Sequence, residues 1–287
     1  DTKPQTMRIL VTGSARLSVY DQVGDSLAGR YFHHHLMPFT PFEQKSSGQP
    51  LDIERLLRRG GFPEPYLQEE DREADRWRLQ YTSSLLSTDV FEIETIQNLK
   101  GMRLLFELLR HRVGSPISYK SLAEDLALSP TTVKKYIEIL EAIYVLFRVQ
   151  PFSKNIARSV LKEPKIYFYD TALIPAENKG QRFENLVALS LLDHCHRKKY
   201  IEACPYTLCY LRTKDGEEVD FAVVCNGAVK AAIEVKVADE TVSKPLKKFH
   251  KKYNFPAFQV VQYIKHEQCL DGITLRKADQ FLAEMNL

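Results

Sequence analysis

Three residues in the last third of the chain have the types and spacing to hold a divalent cation and stabilise charge on a phosphate. Val219-Asp220-Phe221 and Ile233-Glu234-Val235-Lys236 read as two strands joined by a single hairpin. The two-residue period of a strand places Glu234 and Lys236 on one face. Their apolar neighbours must point into a core, so the charges belong at the edge of a buried sheet. Two carboxylates brought together there repel, and a divalent cation with a preference for oxygen ligands, Mg²⁺ or Mn²⁺, relieves the repulsion. A lysine two residues on would orient the attacking water and stabilise charge growing on a phosphate. Glu184, on a helix read over Gln181 to Leu192, is a candidate fourth member. The expected metal ligands are therefore Asp220, Glu234 and Glu184, and the catalytic set Asp220, Glu234 and Lys236.

An Asp-x13-Glu-x-Lys pattern downstream of a helix that carries a glutamate resembles the PD-(D/E)xK nuclease superfamily. The resemblance covers about the last third of the chain. It implies metal-dependent phosphodiester hydrolysis, with Asp220 and Glu234 as metal ligands and Lys236 positioning the water. Val219 stands where the superfamily name has proline. The competing reading is an Asp–Glu–Lys ion network that only stabilises a sheet, since E-x-K alone is a short and frequent motif.

The elements that must position these residues are legible to different degrees. After the Gln181–Leu192 helix, strands are read over Leu208–Arg212, Glu218–Val224, Ala231–Val237 and, as the last, Phe258–Tyr263. Lys214-Asp215-Gly216 and Asn226-Gly227 make hairpin turns, the second of the strongest type. Upstream, helices are read over Glu73–Leu86 and Lys100–Arg112. Ser118 caps a short helix carrying Leu122, Ala123 and Leu126, and Ser129-Pro130 starts another. That second helix should bury Val133, Ile137, Leu140 and Tyr144, spaced i, i+4, i+7 and i+11. Two helices so closely joined make a helix-turn-helix. With strand-like runs Tyr144–Val149 and Lys165–Tyr169 it becomes a winged helix. Helical periodicity over Leu51–Leu57 stops at Gly60-Gly61-Phe62-Pro63.

At the start, Arg8-Ile9-Leu10-Val11-Thr12-Gly13-Ser14 reads as a buried strand entering a polar loop. This segment and Ser26-Leu27-Ala28-Gly29-Arg30-Tyr31 resemble a family of prokaryotic AAA-type ATPases. Gly61-Phe62-Pro63-Glu64-Pro65, the helix-turn-helix, Lys165-Ile166-Tyr167-Phe168-Tyr169-Asp170 and Arg182-Phe183-Glu184-Asn185 follow in that family's order. The resemblance implies Thr12 or Ser14 as nucleotide sensor and Arg30 as arginine finger. No GxxxxGK[ST] occurs in the sequence, and no apolar strand ending in Asp-Glu precedes Arg8. The chain therefore reads as a truncated product that lacks the N-terminal P-loop part, with ATP expected only in a longer form.

The outward face of the second helix of the helix-turn-helix carries Thr131, Thr132, Lys134, Lys135 and Glu138, and its threonines and lysines suit binding to phosphates. Arg, Asn and Gln, which read bases, are missing there. Packing is the competing role. Lys244, Lys247, Lys248, His250, Lys251 and Lys252 share one short helix, which reads first as a solvated face. His33-His34-His35 reads as a solvated strand rather than a metal site. A net charge of +3 decides nothing about nucleic acid, so the local clusters carry that question. Five cysteines without a CxxC pair argue for reduced thiols, hence a cytoplasmic setting. No run approaches the roughly 20 apolar residues needed to span a bilayer, so no membrane role is expected.

The reading is a mixed α/β chain in three parts. Residues 1–71 are a remnant of an AAA-type ATPase domain, 72–175 a helical, winged-helix domain, and 176–287 a restriction-endonuclease-like α/β/α domain. The expected function is nucleic-acid binding, DNA favoured, with a Mg- or Mn-dependent nuclease-like domain and no ATP hydrolysis. The alternative is a catalytically silent module that binds nucleic acid or protein. A homo-oligomer or a protein partner stays open.

Overall fold

The computed structural model describes residues 34–48, 50–86, 98–153 and 163–287, with three isolated positions before them, 10, 12 and 32. Helix α1 (Pro41–Ser46) is capped by the Thr40 hydroxyl and α2 (Ile53–Arg59) by Asp52, and α2 stops at Gly60. Short α3 (Pro63–Leu67) starts on the proline after the glycine pair, and α4 (Asp71–Leu85) follows it. Next comes α5 (Leu99–Arg110), capped by Asn98, with Met102, Leu105, Phe106 and Leu109 on its buried face.

Helices α6 (Tyr119–Leu126) and α7 (Pro130–Ala142) form as their caps dictate. The Ser118 side chain accepts from the Ser121 N–H, and the Ser129 side chain from the Thr132 N–H with Pro130 at the first position. Val133, Ile137 and Leu140 are buried as expected, and Tyr136 and Ile139 join them. Tyr144 does not continue the stripe. The helix ends at Ala142, and Tyr144 takes a positive φ of 55° while its N–H bonds back to Glu141 O.

Strands β1 (Leu146–Pro151), β2 (Lys165–Phe168), β3 (Tyr206–Arg212), β4 (Glu218–Cys225), β5 (Ala228–Lys236), β6 (Ala257–Val261), β7 (Gln268–Leu270) and β8 (Ile273–Lys277) share one mixed sheet. Their order is β2-β1-β3-β4-β5-β6-β8-β7. The β1–β2 pair is antiparallel, and β1 also lies parallel to β3 through Gln150↔Cys209. The two strands read as a wing are thus continuous with the sheet that carries Asp220 and Glu234, and the sheet crosses the division expected at 175/176. The connection includes a 3₁₀ turn (Thr171–Leu173) and the helix α8 (Lys179–Glu202). Helices α9 (Lys244–Tyr253) and α10 (Ala278–Glu284) come later.

Alternation along β4 separates two apolar layers. Phe221 and Val223 pack into a large cluster that runs from Leu56 to Met285 and includes Phe183, Leu186 and Val187 of α8. Ala222 and Val224 face the other way, toward Leu246 and Phe249 of α9. The sheet is therefore covered on both sides, the arrangement in which charged residues survive only at strand ends.

Several expectations are corrected. Phe258–Tyr263 is not the last strand, because β7, β8 and α10 follow, with Ile273, Leu275 and Phe281 buried. Helix α8 runs ten residues past Leu192. Of the strand expected at Arg8–Ser14, the structure describes Leu10 and Thr12. Leu10 is 89 % exposed, and both lie outside any strand, with no neighbouring strand among the described residues to cover them. His34 and His35 are likewise not in a strand. The His35 ring stacks on His196 of α8 and meets the Tyr200 hydroxyl. All five cysteines are free thiols. Among the described residues no helix is long and apolar enough to cross a membrane.

Candidate functional site

The β4–β5 hairpin turns at Asn226-Gly227, both with positive φ, the geometry that matches the twist of the flanking strands. Its register ends on the pair Phe221 and Ile233, so Asp220 and Glu234 are the next residue on each strand. The Val235 N–H donates to Asp220 Oδ2 at 2.9 Å, so the aspartate is tied to the backbone between Glu234 and Lys236. Glu234 is 5 % exposed. Its Oε1 lies 2.9 Å from Lys236 Nζ, while Oε2 is buried and makes no hydrogen bond.

One strand over, Gln259 pairs with Glu234 across β5 and β6 and is fully buried. Its amide group donates to Asp239 O and Thr241 O at 3.0 Å each, and its oxygen accepts from the Ser243 N–H at 2.9 Å. These bonds fix the loop that leaves Lys236 and enters α9. In the sequence Gln259 is hidden, because it sits inside an apolar run.

Glu184 comes from the first turns of α8. Its neighbour Asn185 locks the helix to the end of β2, accepting from the Phe168 N–H at 2.7 Å and donating to Phe168 O at 2.9 Å. The Tyr167 hydroxyl then donates to Glu184 Oε1 at 2.7 Å. The turn after α5 closes the other side. Gly114 has φ +76°, and a Cβ there would lie 2.6 Å from Glu184 Oε1, so the carboxylate sits directly against the bare backbone of this turn.

Lys165, at the start of β2, joins these parts. Its side chain is 1 % exposed. The ammonium lies 2.7 Å from Glu218 Oε1, 3.5 Å from Asp220 Oδ1 and 3.8 Å from Glu184 Oε1, and sits over the Tyr210 ring. Neither Lys165 nor Glu218 stands out in the sequence. A signal for Glu218 is present, since it precedes Asp220 by two on one strand and shares its face.

The charges respond to this crowding. Burial opposes the charge on Lys165, yet Asp220, Glu184 and Glu218 outweigh it and hold the ammonium well above its ordinary value. Burial, then the charge of Asp220, pushes Glu184 up to about 8. The same two causes raise Glu234, while the pairing with Glu234 overcomes burial and raises Lys236. Among the described residues, no three His, Cys, Asp or Glu side chains are grouped so that they could hold a metal ion. Three of the four carboxylates turn toward Lys165 instead.

The remaining sequence candidates lie elsewhere. Ser14 and Arg30 fall outside the described residues, and Thr12 is an exposed residue of no regular structure. Thr131, Lys134 and Lys135 are exposed on α7, with Lys134 3.8 Å from Glu138. Thr132 is partly covered and bonded to the Ser129 hydroxyl at 2.7 Å. On α9, Lys247 pairs with Asp271 and Lys248 with Glu217.

Residues 51–182 match a domain of unknown function, DUF8612, and residues 179–275 match another, DUF4143. The two matches meet at the start of α8, immediately before Glu184. The chain is 27 % identical over 238 residues to the uncharacterized protein Rv2008c of Mycobacterium tuberculosis, covering 77 % of this chain and 50 % of that one. It is 27 % identical over 251 residues to the uncharacterized protein MJ1544 of Methanocaldococcus jannaschii, covering 79 % and 54 % respectively. The chain thus spans about half the length of the curated relatives it matches. No solved structure matches it.

Proposed function

We propose that the chain is a nucleic-acid-binding protein whose C-terminal half carries a metal-dependent nuclease-like site, on a restriction-endonuclease-like fold preceded by a winged helix whose two wing strands join the same sheet. One observation carries the reading: the hydrogen bond from the Val235 N–H to Asp220, which ties that carboxylate to the backbone between Glu234 and Lys236 at one end of the β4–β5 hairpin. Whether a divalent ion suits these residues is tested by the buried Glu234 Oε2, an oxygen that makes no hydrogen bond, on a carboxyl that feels the charge of Asp220 and is eased by Lys236 and Ser243. Such an atom costs stability unless something binds it. Mg²⁺ is commonly held by one or two carboxylates with waters completing its shell. Asp220 and Glu234 would hold it, with Glu184 engaged by Tyr167 and Lys165.

Bound there, the ion would supply Lewis acidity toward a phosphate oxygen. Lys236, a third exposed, can reach both the Glu234 carboxylate and an incoming phosphate. The exposed face of α7, with Thr131, Lys134 and Lys135, is the proposed phosphate-binding surface, and DNA the favoured partner. In the AAA-type reading the nucleotide belongs to a form that carries a P-loop, with Thr12, Ser14 and Arg30 as its sensor and finger.

The test is cleavage of single- and double-stranded DNA and RNA by the purified chain in Mg²⁺ or Mn²⁺. Activity should vanish in Asp220→Asn and Glu234→Gln while the circular dichroism spectrum stays unchanged. A second reading, the silent interaction module, draws on the three carboxylates already satisfied by Lys165. It takes over where nucleic acid binds but no substrate is cut with either metal.

A further inference from the structure

We propose that Lys165 is a built-in cation of the carboxylate site, a positioning residue that fills the space between Glu184, Glu218 and Asp220 and so denies it to a second divalent ion. The inference deepens the metal-dependent reading above and rests on it for the role of the first ion. Three features of Lys165 carry it.

The first is coordination. One ammonium faces three carboxylates from three directions, at 2.7, 3.5 and 3.8 Å, with one from β4's first residue, one from its third and one from α8. Acids from separate elements converge in this way on a cation, and here the cation is supplied by the chain. The second is access. The side chains of Glu184, Glu218 and Asp220 are 20 to 24 % exposed, whereas that of Lys165 is 1 % exposed. The carboxylates therefore reach solvent on one side and rest on a sealed ammonium on the other. An ion from solution cannot exchange with it.

The third feature is anchorage. Lys165 pairs with Val149 on β1, and the Tyr210 ring beneath its ammonium is held by a hydrogen bond from its hydroxyl to Glu163 O at 2.7 Å. The lysine is placed by the sheet, not by the acids alone. A buried ammonium is strongly disfavoured unless paired. Removing its charge would strand three carboxylates in the same small space, a donor set that suits Mg²⁺ or Mn²⁺. Asp220 would then belong to both positions, with Lys165 deciding whether one ion or two can bind.

The experiment counts Mn²⁺ ions on the full chain by isothermal titration calorimetry, for the wild type, Lys165→Met, and Lys165→Met with Glu218→Gln. Methionine keeps the apolar stem of lysine but ends one atom short, so it removes the ammonium and leaves its position open. Lys165→Met should bind one more Mn²⁺ than the wild type. The double variant, which removes an acid along with the ammonium, should return to the wild-type count. Glu234→Gln should abolish the wild-type ion but leave the extra ion of Lys165→Met in place. An equal count in the wild type and Lys165→Met overturns the inference and leaves the metal reading intact. No ion in the wild type with one in Lys165→Met upholds the inference and overturns the metal reading. Should Lys165→Met not fold in metal-free buffer, the readout is refolding: recovery in Mn²⁺ upholds the inference, and failure to recover overturns it.

Discussion

Replacing Glu184 with Gln isolates the charge that the site tolerates least. Burial and the neighbouring Asp220 raise the Glu184 carboxyl from 4.5 to about 8 in the folded chain. A carboxyl raised on folding binds its proton more tightly in the native state than in the unfolded one. Its contribution to stability is therefore complete below 4.5 and disappears as pH rises through about 8. At roughly 1.4 kcal/mol per pH unit, the full gap corresponds to about 5 kcal/mol. A fifth of the Glu184 side chain remains open to solvent, and screening there brings our expectation to about 2 kcal/mol. Glutamine keeps the shape, still accepts from Tyr167 and cannot ionise. Urea denaturation followed by circular dichroism at pH 5, 6.5 and 8.5 should give a stability difference between the two proteins that moves in favour of the variant by about 2 kcal/mol across the range. His194, lowered to about 4 by burial, costs both proteins stability as pH falls below 6.5, so its effect cancels in the difference. Parallel pH curves for the wild type and Glu184→Gln would refute the reasoning.

Gly114→Ala should cost about 1–2 kcal/mol, mainly from the left-handed backbone at φ +76°, since the Glu184 carboxylate it meets can swing aside. An unchanged urea midpoint would show that the turn after α5 adjusts freely. If α7 binds DNA as proposed, Lys134→Glu combined with Lys135→Glu should weaken binding equally for all sequences. It should also reduce the slope against log salt by about one for each phosphate no longer neutralised; an unaltered slope returns α7 to a packing role. The 287-residue chain should not turn over ATP, because its sequence has no phosphate-cradling GxxxxGK[ST]. Metal-dependent ATP turnover that Arg30→Ala abolishes would contradict this.

The parts of the fold legible in the sequence are those with local physical causes. Ser118 and Ser129-Pro130 mark the starts of α6 and α7 because their hydroxyls satisfy backbone donors within three residues. Asn226-Gly227 marks the β4–β5 turn for an equally local reason. The end of α8 is less visible, because its apolar pattern gives way after Leu192 to charged residues. Those charges continue the helix through i, i+4 pairs, Asp193 with Arg197 and Lys198 with Glu202. The last hairpin carries its own signal in Asp271-Gly272, both with positive φ, but strands of three and five residues show too little alternation to stand out. The joining of β1 to β3 has no local signature at all. It is a parallel pairing between distant segments, and period-two patterning says nothing about which strands become neighbours.

The same division between local and distant causes explains what is visible of the site. Asp220, Glu234 and Lys236 lie on one hairpin, so spacing alone predicts their proximity. Glu184 depends on α8 docking against β2 through Asn185, and only the order of the elements hints at it. Lys165 is 55 residues from Asp220 and reaches it because β1 brings β2 to the edge of the sheet that holds β4. In the sequence it merely opens an apolar run, where a lysine reads as the polar end of a strand. Its burial has a cause that no local pattern contains: the carboxylates it meets come from α8 and β4, and each needs the ammonium as much as the ammonium needs them. The acids of this site therefore cannot be treated as vacant metal ligands read from an E-x-K motif. On the proposed reading, how many ions they would take depends on a residue supplied by the other half of the chain, and it is the sheet joining the two halves that brings this charge to the acids.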